Sequence, residues 1–414
     1  MLFSLKISLY KGFFVIFAAK YGGDMIDNTL IAYMEEMLRQ TPTVFVRYMA
    51  DLIDWDSRLV GIVGPRGVGK STMLLQRIKL YRKDGLWLYV SADHIYFANH
   101  SLVDLADDFV KEGGTHLYID EAHKYRNWSR ELKQIYDVHP DLHVVFTGSS
   151  VLDITKGEAD LSRRALMYSM QGLSFREYLE LFHDVKTEKH TLAEILAHKV
   201  ELPVPHPLPL FRDYLAFGYY PFAKESGFAI RMEQIISQTI DSDIPQYADM
   251  LASTARKLKQ MLAVIAELAP YKPNADNLAS ELHVSKNNVP DYLSYLEKAG
   301  MIGLLRDDTS GLRGLGKVEK VYVDNPSLMT VLANGKPEMG NLRETFFYNQ
   351  MRVMHKVLAS RESAFVVGDY TFEVGGRKKG KKQIQGIPNG VVVKDDIEFG
   401  HGIVIPLWHF GLTY

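Results

Sequence analysis

Eight consecutive residues, from Gly64 to Ser71, have the composition of a loop that binds phosphate groups. They read Gly-Pro-Arg-Gly-Val-Gly-Lys-Ser, which satisfies the pattern G-x-x-x-x-G-K-[ST]. In such a loop the backbone N–H groups turn toward the β-phosphate, Lys70 reaches the β- and γ-phosphates, and the Ser71 hydroxyl coordinates Mg²⁺. The pattern predicts that the chain binds ATP or GTP. The residues predicted to bind the nucleotide are Gly64, Pro65, Arg66, Gly67, Val68, Gly69, Lys70, Ser71 and Thr72.

Two carboxylates follow an apolar stretch further along the chain. The segment His116-Leu-Tyr-Ile-Asp-Glu121 reads as a buried strand that ends in two acids. An acid in that position beside a phosphate loop can hold the water shell of Mg²⁺, which is the role we assign to Asp120. Glu121 is then placed to polarise the attacking water. Acids are common at the end of a strand, and it is the pairing with the phosphate loop that favours hydrolysis over simple binding.

Two hydroxyl groups end a further apolar stretch. Thr147 and Ser149 end the stretch that begins at residue 141. Because doubly wound sheets bind ligands at the carboxyl ends of their strands, these hydroxyls could sense the γ-phosphate or position the water. The alternative is that they cap the next helix.

Arg163 and Arg164 precede another apolar strand, and either could neutralise transition-state charge, within the chain or across a subunit boundary. The alternative is a solvated arginine pair.

The elements that position these residues alternate between strands and helices. Apolar strands are predicted near residues 59–63, 86–91, 115–120, 142–147 and 165–170. With helical patterns between them, they predict an α/β domain over residues 25–180, built on a doubly wound parallel sheet of five strands. The phosphate loop then lies between the first strand and an amphipathic helix that begins at Ser71. Residues 181–255 form a mostly helical linker region, interrupted by the Pro-rich stretch 202–209.

Residues 256–335 have the order of a winged helix-turn-helix domain. Helices are predicted at 256–268, 274–282 and 285–299, followed by strands at 301–306 and 318–323. Two acids on the third helix argue against contact with DNA. A domain that packs against other proteins and a nucleotide lid are therefore the alternatives. The side chains that could face a groove of double-stranded DNA are Lys286, Asn287, Asn288, Tyr292 and Tyr295.

The composition excludes several kinds of site. The 414 residues carry a formal net charge of −2, so any contact with nucleic acid must use a local patch. The absence of cysteine excludes disulfides, thiolate zinc sites and cysteine nucleophiles, and the 14 histidines lack the spacing of a metal site.

The first 24 residues contain an apolar run, residues 12–19, that is too short to cross a bilayer as a helix. We interpret residues 1–24 as an extension ahead of a natural start at Met25. A poorly packed strand and a membrane-surface element are the alternatives. Because an enzyme that uses ATP needs a nucleotide supply, we expect a cytoplasmic protein without stable membrane insertion.

The combined order of these motifs resembles a prokaryotic group of AAA-type ATPases that carry a conserved C-terminal region of unknown function. The resemblance covers nearly everything after residue 25 and implies ATP and Mg²⁺ as cofactors. It also implies a small α+β domain similar to restriction endonucleases over residues 336–414. The motifs that carry the resemblance are the phosphate loop, the acid strand, Phe146-Thr-Gly-Ser-Ser150, Leu173-Ser-Phe-Arg-Glu-Tyr178 and Gly218-Tyr-Tyr-Pro221.

The endonuclease-like region departs from the pattern of an active nuclease. Such an enzyme holds Mg²⁺ between carboxylates and uses a lysine two residues after the second acid. Glu344 and Glu373 could be the acids, but Ala364 stands where the resemblance implies aspartate, and Gly375 stands where it implies lysine. A lysine of the basic run 377–382 could reach in, or this run could be a solvated turn that contacts phosphates. We do not expect nuclease activity.

Three functions are consistent with the sequence. The leading hypothesis is an ATP-hydrolysing switch or motor, acting on double-stranded DNA through its C-terminal domains and able to form homo-oligomers. The alternative is a nucleotide-gated protein-interaction module without DNA binding. A helicase is disfavoured, because residues 147–150 read Thr-Gly-Ser-Ser where such enzymes have Ser-Ala-Thr.

Overall fold

The computed structural model describes residues 26–82, 85–148, 161, 163–245, 252–308 and 317–414. The predictions for residues 1–24 and for Ser149 lie outside these ranges. Within the described ranges, no helix is both long enough and apolar enough to cross a membrane.

Five parallel strands form the sheet of the amino-terminal part. They are β1 (Leu59–Val63), β2 (Leu86–Ser91), β3 (Gly114–Asp120), β4 (His143–Gly148) and β5 (Leu166–Ser169). Their order in the sheet is β2-β3-β4-β1-β5, and all four pairings are parallel. The strands are mostly apolar because helices cover both faces of such a sheet. The predicted five-stranded parallel α/β fold is confirmed, with strand ends within one residue of the prediction.

Four helices lie among the described residues of the same part of the chain. They are α1 (Asn28–Gln40), α2 (Lys70–Tyr81), α3 (Leu102–Lys111) and α4 (Trp128–Val138). Local sequence sets where they begin. Asp27 caps α1 through the N–H of Thr29, and Ser101 and Asp104 form a reciprocal capping box on α3. Helix α2 follows the phosphate loop directly, so its amino terminus faces the same region as that loop.

The next part is mostly helical, as predicted. It contains α5 (Phe175–His183), α6 (Leu192–Leu196), α7 (Pro207–Asp213) and α8 (Phe228–Gln238). Helix α7 begins inside the stretch predicted as a Pro-rich interruption, because proline is tolerated in the first helical turn, where its missing N–H has no partner to lose. Two π-helical turns, Tyr214–Gly218 and Thr239–Asp243, continue α7 and α8. No pattern in the sequence predicts these turns.

Three helices and two antiparallel strands follow, with ends up to four residues from the predicted ones. They are α9 (Ala252–Leu268), α10 (Ala275–Leu282), α11 (Val289–Lys298), and the antiparallel strands β6 (Ile302–Arg306) and β7 (Val318–Val323). Pro290 lies in the first turn of α11, where it causes no strain. Tyr292 is buried and Lys286 is paired with Asp276, so these two side chains are not available as a groove-facing pair.

The carboxyl-terminal part is an α+β arrangement. It consists of α12 (Pro326–Leu332), α13 (Met339–Met354) and the strands β8 (Val357–Ala359), β9 (Phe365–Val367), β10 (Tyr370–Gly375), β11 (Gly390–Lys394) and β12 (Val404–Pro406). The sheet order is β12-β11-β10-β9-β8, with β10, β11 and β12 parallel and the other pairings antiparallel. Phe347 of α13 packs on Phe365 and Phe372, which fixes this helix on one face of the sheet.

Candidate nucleotide site

The phosphate loop leaves the carboxyl end of β1 in a conformation that depends on glycine. Gly64 and Gly69 have φ angles of +155° and +99°. A β-carbon on Gly64 would lie 2.1 Å from the carbonyl oxygen of Met170, which is closer than any real contact. The loop therefore keeps its path only with glycine at position 64, because a side chain there would meet the backbone that follows β5.

Lys70 is enclosed by the loop from which it extends. Its side-chain nitrogen Nζ donates to the carbonyl oxygens of Gly64 and Pro65, both at 2.8 Å, and the residue is only 5% exposed. Burial lowers the pKa of Lys70 to about 8. Ser71 and Thr72 follow Lys70 in the first turn of α2. A cation, hydroxyl groups and a helix amino terminus thus converge on one loop, which suits a polyphosphate.

Thr147 positions both candidate acids. Asp120, at the end of β3, accepts hydrogen bonds from Tyr89 Oη at 2.9 Å and from the Thr147 hydroxyl. The same Thr147 oxygen accepts the backbone N–H of Glu121 at 3.1 Å. Strand β4 lies between β3 and β1, so these groups share the sheet edge of the phosphate loop. The Thr147 hydroxyl therefore holds the Asp120 carboxylate and the backbone of Glu121.

Glu121 has a left-handed backbone and a histidine neighbour. Its φ angle is +52°, and one carboxylate oxygen lies 3.4 Å from Nε2 of His123. Burial lowers the pKa of His123 to about 3, so the imidazole is neutral at pH 7. The contact is therefore made to a neutral ring and does not neutralise Glu121.

Arg47 bonds to the phosphate loop and braces it, and sequence reasoning missed this residue. Its guanidinium forms an ion pair with Glu177 and donates to the carbonyl oxygens of Val68, Gln171 and Gly172. Burial opposes the charge on Arg47, but the Glu177 carboxylate more than offsets this effect, and the pKa of Arg47 is raised. No motif surrounds Arg47 in the sequence. Glu177, by contrast, belongs to the segment that carries the family resemblance.

A second missed contact joins the loop to the helical region. Arg66 forms a two-pronged ion pair with Asp243, with distances of 2.7 and 2.8 Å. Asp243 is buried and ends the second π-helical turn. Nearby, a β-carbon on Gly67 would lie 2.7 Å from the ring of Phe222 and 3.4 Å from Ile235 of α8. The loop is therefore enclosed by a part of the chain outside the five-stranded sheet.

The turn before β6 also touches the loop. Gly300 has a φ angle of +71°, and a β-carbon there would lie 2.9 Å from Cγ of Pro65. The unit formed by α9, α10, α11 and the β6–β7 hairpin thus contacts the phosphate loop directly.

Arg163 and Arg164 lie away from the other predicted site residues. They precede β5, which runs parallel to β1, so they lie at the sheet edge opposite the phosphate loop, on the order of 15 Å along the strand. Arg164 is paired with Asp137 at 2.8 and 3.0 Å, and Arg163 is exposed. The structure therefore does not bring either arginine to the loop of its own chain. A role across a subunit boundary stays a prediction.

The two candidate acids of the carboxyl-terminal part do not share a site. Glu344 accepts hydrogen bonds from Tyr322 and Lys320, at 2.9 and 3.1 Å. Phe372 faces α13, and successive side chains of a strand point to opposite faces, so Glu373 points away from that helix. No group of three or more metal-binding side chains occurs in the described ranges.

Glu373 has local partners instead. It accepts a hydrogen bond from Ser363 at 2.6 Å and is paired with Lys379. The stem of Lys379 fills the space beside Gly375, where a β-carbon would lie 2.6 Å from its Cδ. Lys379 thus occupies the volume of the side chain that position 375 lacks.

Two parts of the chain match family models. Residues 56–179 match the model of an AAA domain, and residues 208–338 match that of a domain of unknown function. The first segment contains all five strands and the phosphate loop. The AAA-domain match and the parallel sheet together support a P-loop ATPase of the AAA type. Residues 208–338 include Asp243, Phe222 and Gly300, which contact the phosphate loop.

Similar proteins add little about function. An uncharacterized protein of Methanocaldococcus jannaschii is 25% identical over 327 residues, which are 68% of this chain and 66% of that protein. The chain thus spans about 66% of the length of this relative. A Walker-type ATPase of Pyrococcus abyssi is 13% identical with a TM-score of 0.41, over 75% of this chain and 96% of that one. The ADP complex of Hsp104 from S. cerevisiae is 17% identical with a TM-score of 0.25, over 64% of this chain and 38% of that one.

Proposed function

We propose that this protein binds ATP with Mg²⁺ and hydrolyses it, and that the nucleotide state moves its C-terminal part. The observation that carries the proposal is that Lys70, Asp120, Glu121 and Thr147 lie at one edge of the sheet, where one hydroxyl bonds to the Asp120 carboxylate and to the backbone N–H of Glu121. The residues present fit the ligand. A buried ammonium group and the first turn of a helix suit phosphates, and the oxygens of Ser71 and Asp120 suit Mg²⁺.

Each residue then has a distinct role. Lys70 exchanges its bonds to two main-chain carbonyls for bonds to the β- and γ-phosphates. Ser71 and Asp120 hold Mg²⁺, which neutralises charge on the phosphates. Glu121 polarises the attacking water, and Thr147 keeps Glu121 and Asp120 in register. Catalysis of this kind depends on positioning and charge stabilisation, so the positions of Asp120 and Glu121 are central to it.

The test separates binding from hydrolysis. Lys70→Ala should abolish ATP binding and turnover, because Lys70 contacts the phosphates in the ground state. Glu121→Gln should bind ATP with near-normal affinity and hydrolyse it at least roughly a hundredfold more slowly, since general-base assistance is worth about 10²–10⁴ in rate. Asp137→Asn, at the opposite edge of the sheet, is the control and should change neither quantity. Near-normal turnover by Glu121→Gln would place the base elsewhere.

We further propose that residues 256–335 form a winged helix-turn-helix domain and residues 336–414 an endonuclease-like domain, and that they act on double-stranded DNA. The exposed basic run 377–382 supports DNA as the partner. The buried Tyr292 and the Lys286–Asp276 pair favour the second candidate, a nucleotide-gated protein-interaction module. ATPase rates measured with and without DNA distinguish the two, since only the first responds to DNA.

We also propose that the protein acts in the cytoplasm, where ATP is available, and that Arg163 acts in a homo-oligomer. Arg163 is exposed, whereas Arg164 is held by Asp137. A turnover number that rises with protein concentration, and that no longer does so after Arg163→Ala, would support an arginine supplied by a neighbouring subunit. A turnover number independent of concentration would contradict it.

A further inference from the structure

Asp243 places a negative charge in the nucleotide site from outside the AAA domain. We propose that Asp243 is a counter-ion that withholds Arg66 from the nucleotide, and that a bound triphosphate replaces Asp243 as the partner of Arg66. The exchange releases the π-helical turn Thr239–Asp243 and so transmits nucleotide binding to the helical region. This inference rests on the proposed function and assigns the regulation of that same site.

Arg66 belongs to the loop that is expected to hold the phosphates. Arg66 stands in the loop directly after Pro65, whose carbonyl oxygen accepts a bond from the Lys70 ammonium. Lys70 is the group expected to contact the β- and γ-phosphates. A guanidinium that starts from the neighbouring residue is therefore within a side chain's reach of the same oxygens. In this structure, Nε and Nη2 of Arg66 both donate to the carboxylate of Asp243.

The charges of the site explain why the ion pair would open. The side chain of Asp243 is 3% exposed, so its charge is poorly screened and depends on Arg66. Asp120 and Glu121 add two more carboxylates near Lys70. A triphosphate brings further negative charge, which repels Asp243 and offers Arg66 a partner of the same planar, two-pronged geometry. Carboxylate and phosphate then compete for one guanidinium.

The π-helical turn connects this competition to the rest of the helical region. Asp243 lies at the end of the turn that faces the loop. In the same turn, Asp241 is paired with Lys259 of α9 at 2.5 Å. The turn continues α8, whose Ile235 lies against Gly67. Loss of the Arg66–Asp243 ion pair would thus affect both α8 and α9, and α9 is the first helix of the unit that includes the β6–β7 hairpin.

The first test measures the affinity for MgATP in wild type, Asp243→Asn, Arg66→Gln and the double variant. Asp243→Asn should bind MgATP several-fold to about tenfold more tightly, because the carboxylate that competes with the triphosphate for Arg66 has lost its charge. Arg66→Gln should bind more weakly, and it should remove most of the gain given by Asp243→Asn. Glu297→Gln is the matched control. It breaks another two-pronged pair, with Arg306 at 2.6 and 2.7 Å, and should leave the affinity unchanged.

The second test needs no variant and so does not depend on Asp243→Asn folding. Amide hydrogen exchange of residues 239–243 in the wild-type protein should become faster when MgATP is added. Unchanged or slower exchange overturns the proposal, and so does an Asp243→Asn variant that binds MgATP no more tightly than wild type. Failure of the proposed function looks different. In that case wild type itself binds no more MgATP than Lys70→Ala.

Discussion

The brace formed by Arg47 should be needed for the stability of the whole phosphate-loop region. Arg47→Met keeps most of the volume of the side chain but removes the ion pair with Glu177 and the bonds to three carbonyl oxygens. The Glu177 carboxylate is fully buried, and it would keep only the N–H groups of Tyr48 and Ser174, at 2.7 and 3.2 Å. An uncompensated charge would then remain in the protein interior.

The magnitude follows from that burial. Removing one partner of a buried ion pair costs about 3–5 kcal/mol, because the other charge is left without compensation. For a domain of this size each kcal/mol lowers the unfolding midpoint by about 2–4 °C. The midpoint of Arg47→Met should therefore fall by about 6–20 °C. ATP affinity should fall as well, because the Val68 carbonyl in the loop is no longer held.

Thermal unfolding followed by circular dichroism provides the assay. Arg164→Met is the matched control. It removes another two-pronged arginine, but that pair is exposed to solvent, and exposed ion pairs contribute little to stability. In the double variant Arg47→Met, Glu177→Gln part of the loss should be recovered, since the stranded charge is gone. If Arg47→Met lowers the midpoint no more than Arg164→Met, the buried pair is not a brace and this reasoning is refuted.

Two further predictions concern charge. Burial lowers the pKa of Lys70 to about 8 in the free protein, and bound phosphates raise it, so above pH 8 ATP binding must take up a proton. ATP affinity should fall by up to about tenfold per pH unit above pH 8, as measured by titration calorimetry, and a flat profile up to pH 9.5 would contradict this. In the basic run 377–382, replacing three lysines with glutamine should weaken retention on double-stranded DNA. Each lost phosphate contact lowers the slope of log affinity against log salt by about 0.9, so the three together lower it by up to about 2.7. Unchanged retention at low salt would count against DNA binding, and lysines 186, 189 and 199 serve as the control set. The substituted residues are Lys378, Lys381 and Lys382, while Lys379 is left because it pairs with Glu373.

Local patterns explain why so much of the site could be predicted. The five strands are short apolar runs with polar ends, and the phosphate loop is contiguous, so neither depends on knowing distant partners. The acids Asp120 and Glu121 follow from the same rule, because the carboxyl ends of parallel strands meet at one edge. These features are encoded within stretches of fewer than ten residues.

What could not be predicted depends on contacts between distant parts of the chain. Arg47 lies 130 positions from Glu177, and Arg66 lies 177 positions from Asp243, so no window of sequence contains either pair. Arg163 shows the opposite problem. Its place before a core strand suggested proximity to the nucleotide, but the direction of β5 puts the start of that strand at the far edge.

The contact between Gly300 and Pro65 has a consequence for how the chain can evolve. The two residues belong to the two segments that match separate family models, residues 56–179 and 208–338. Any side chain at position 300 would meet the proline ring of the loop, so neither position can change freely without the other. Exchange of one segment between relatives by recombination would break this fit. We expect the two segments to be inherited as one unit, with substitutions at positions 65 and 300 that vary together.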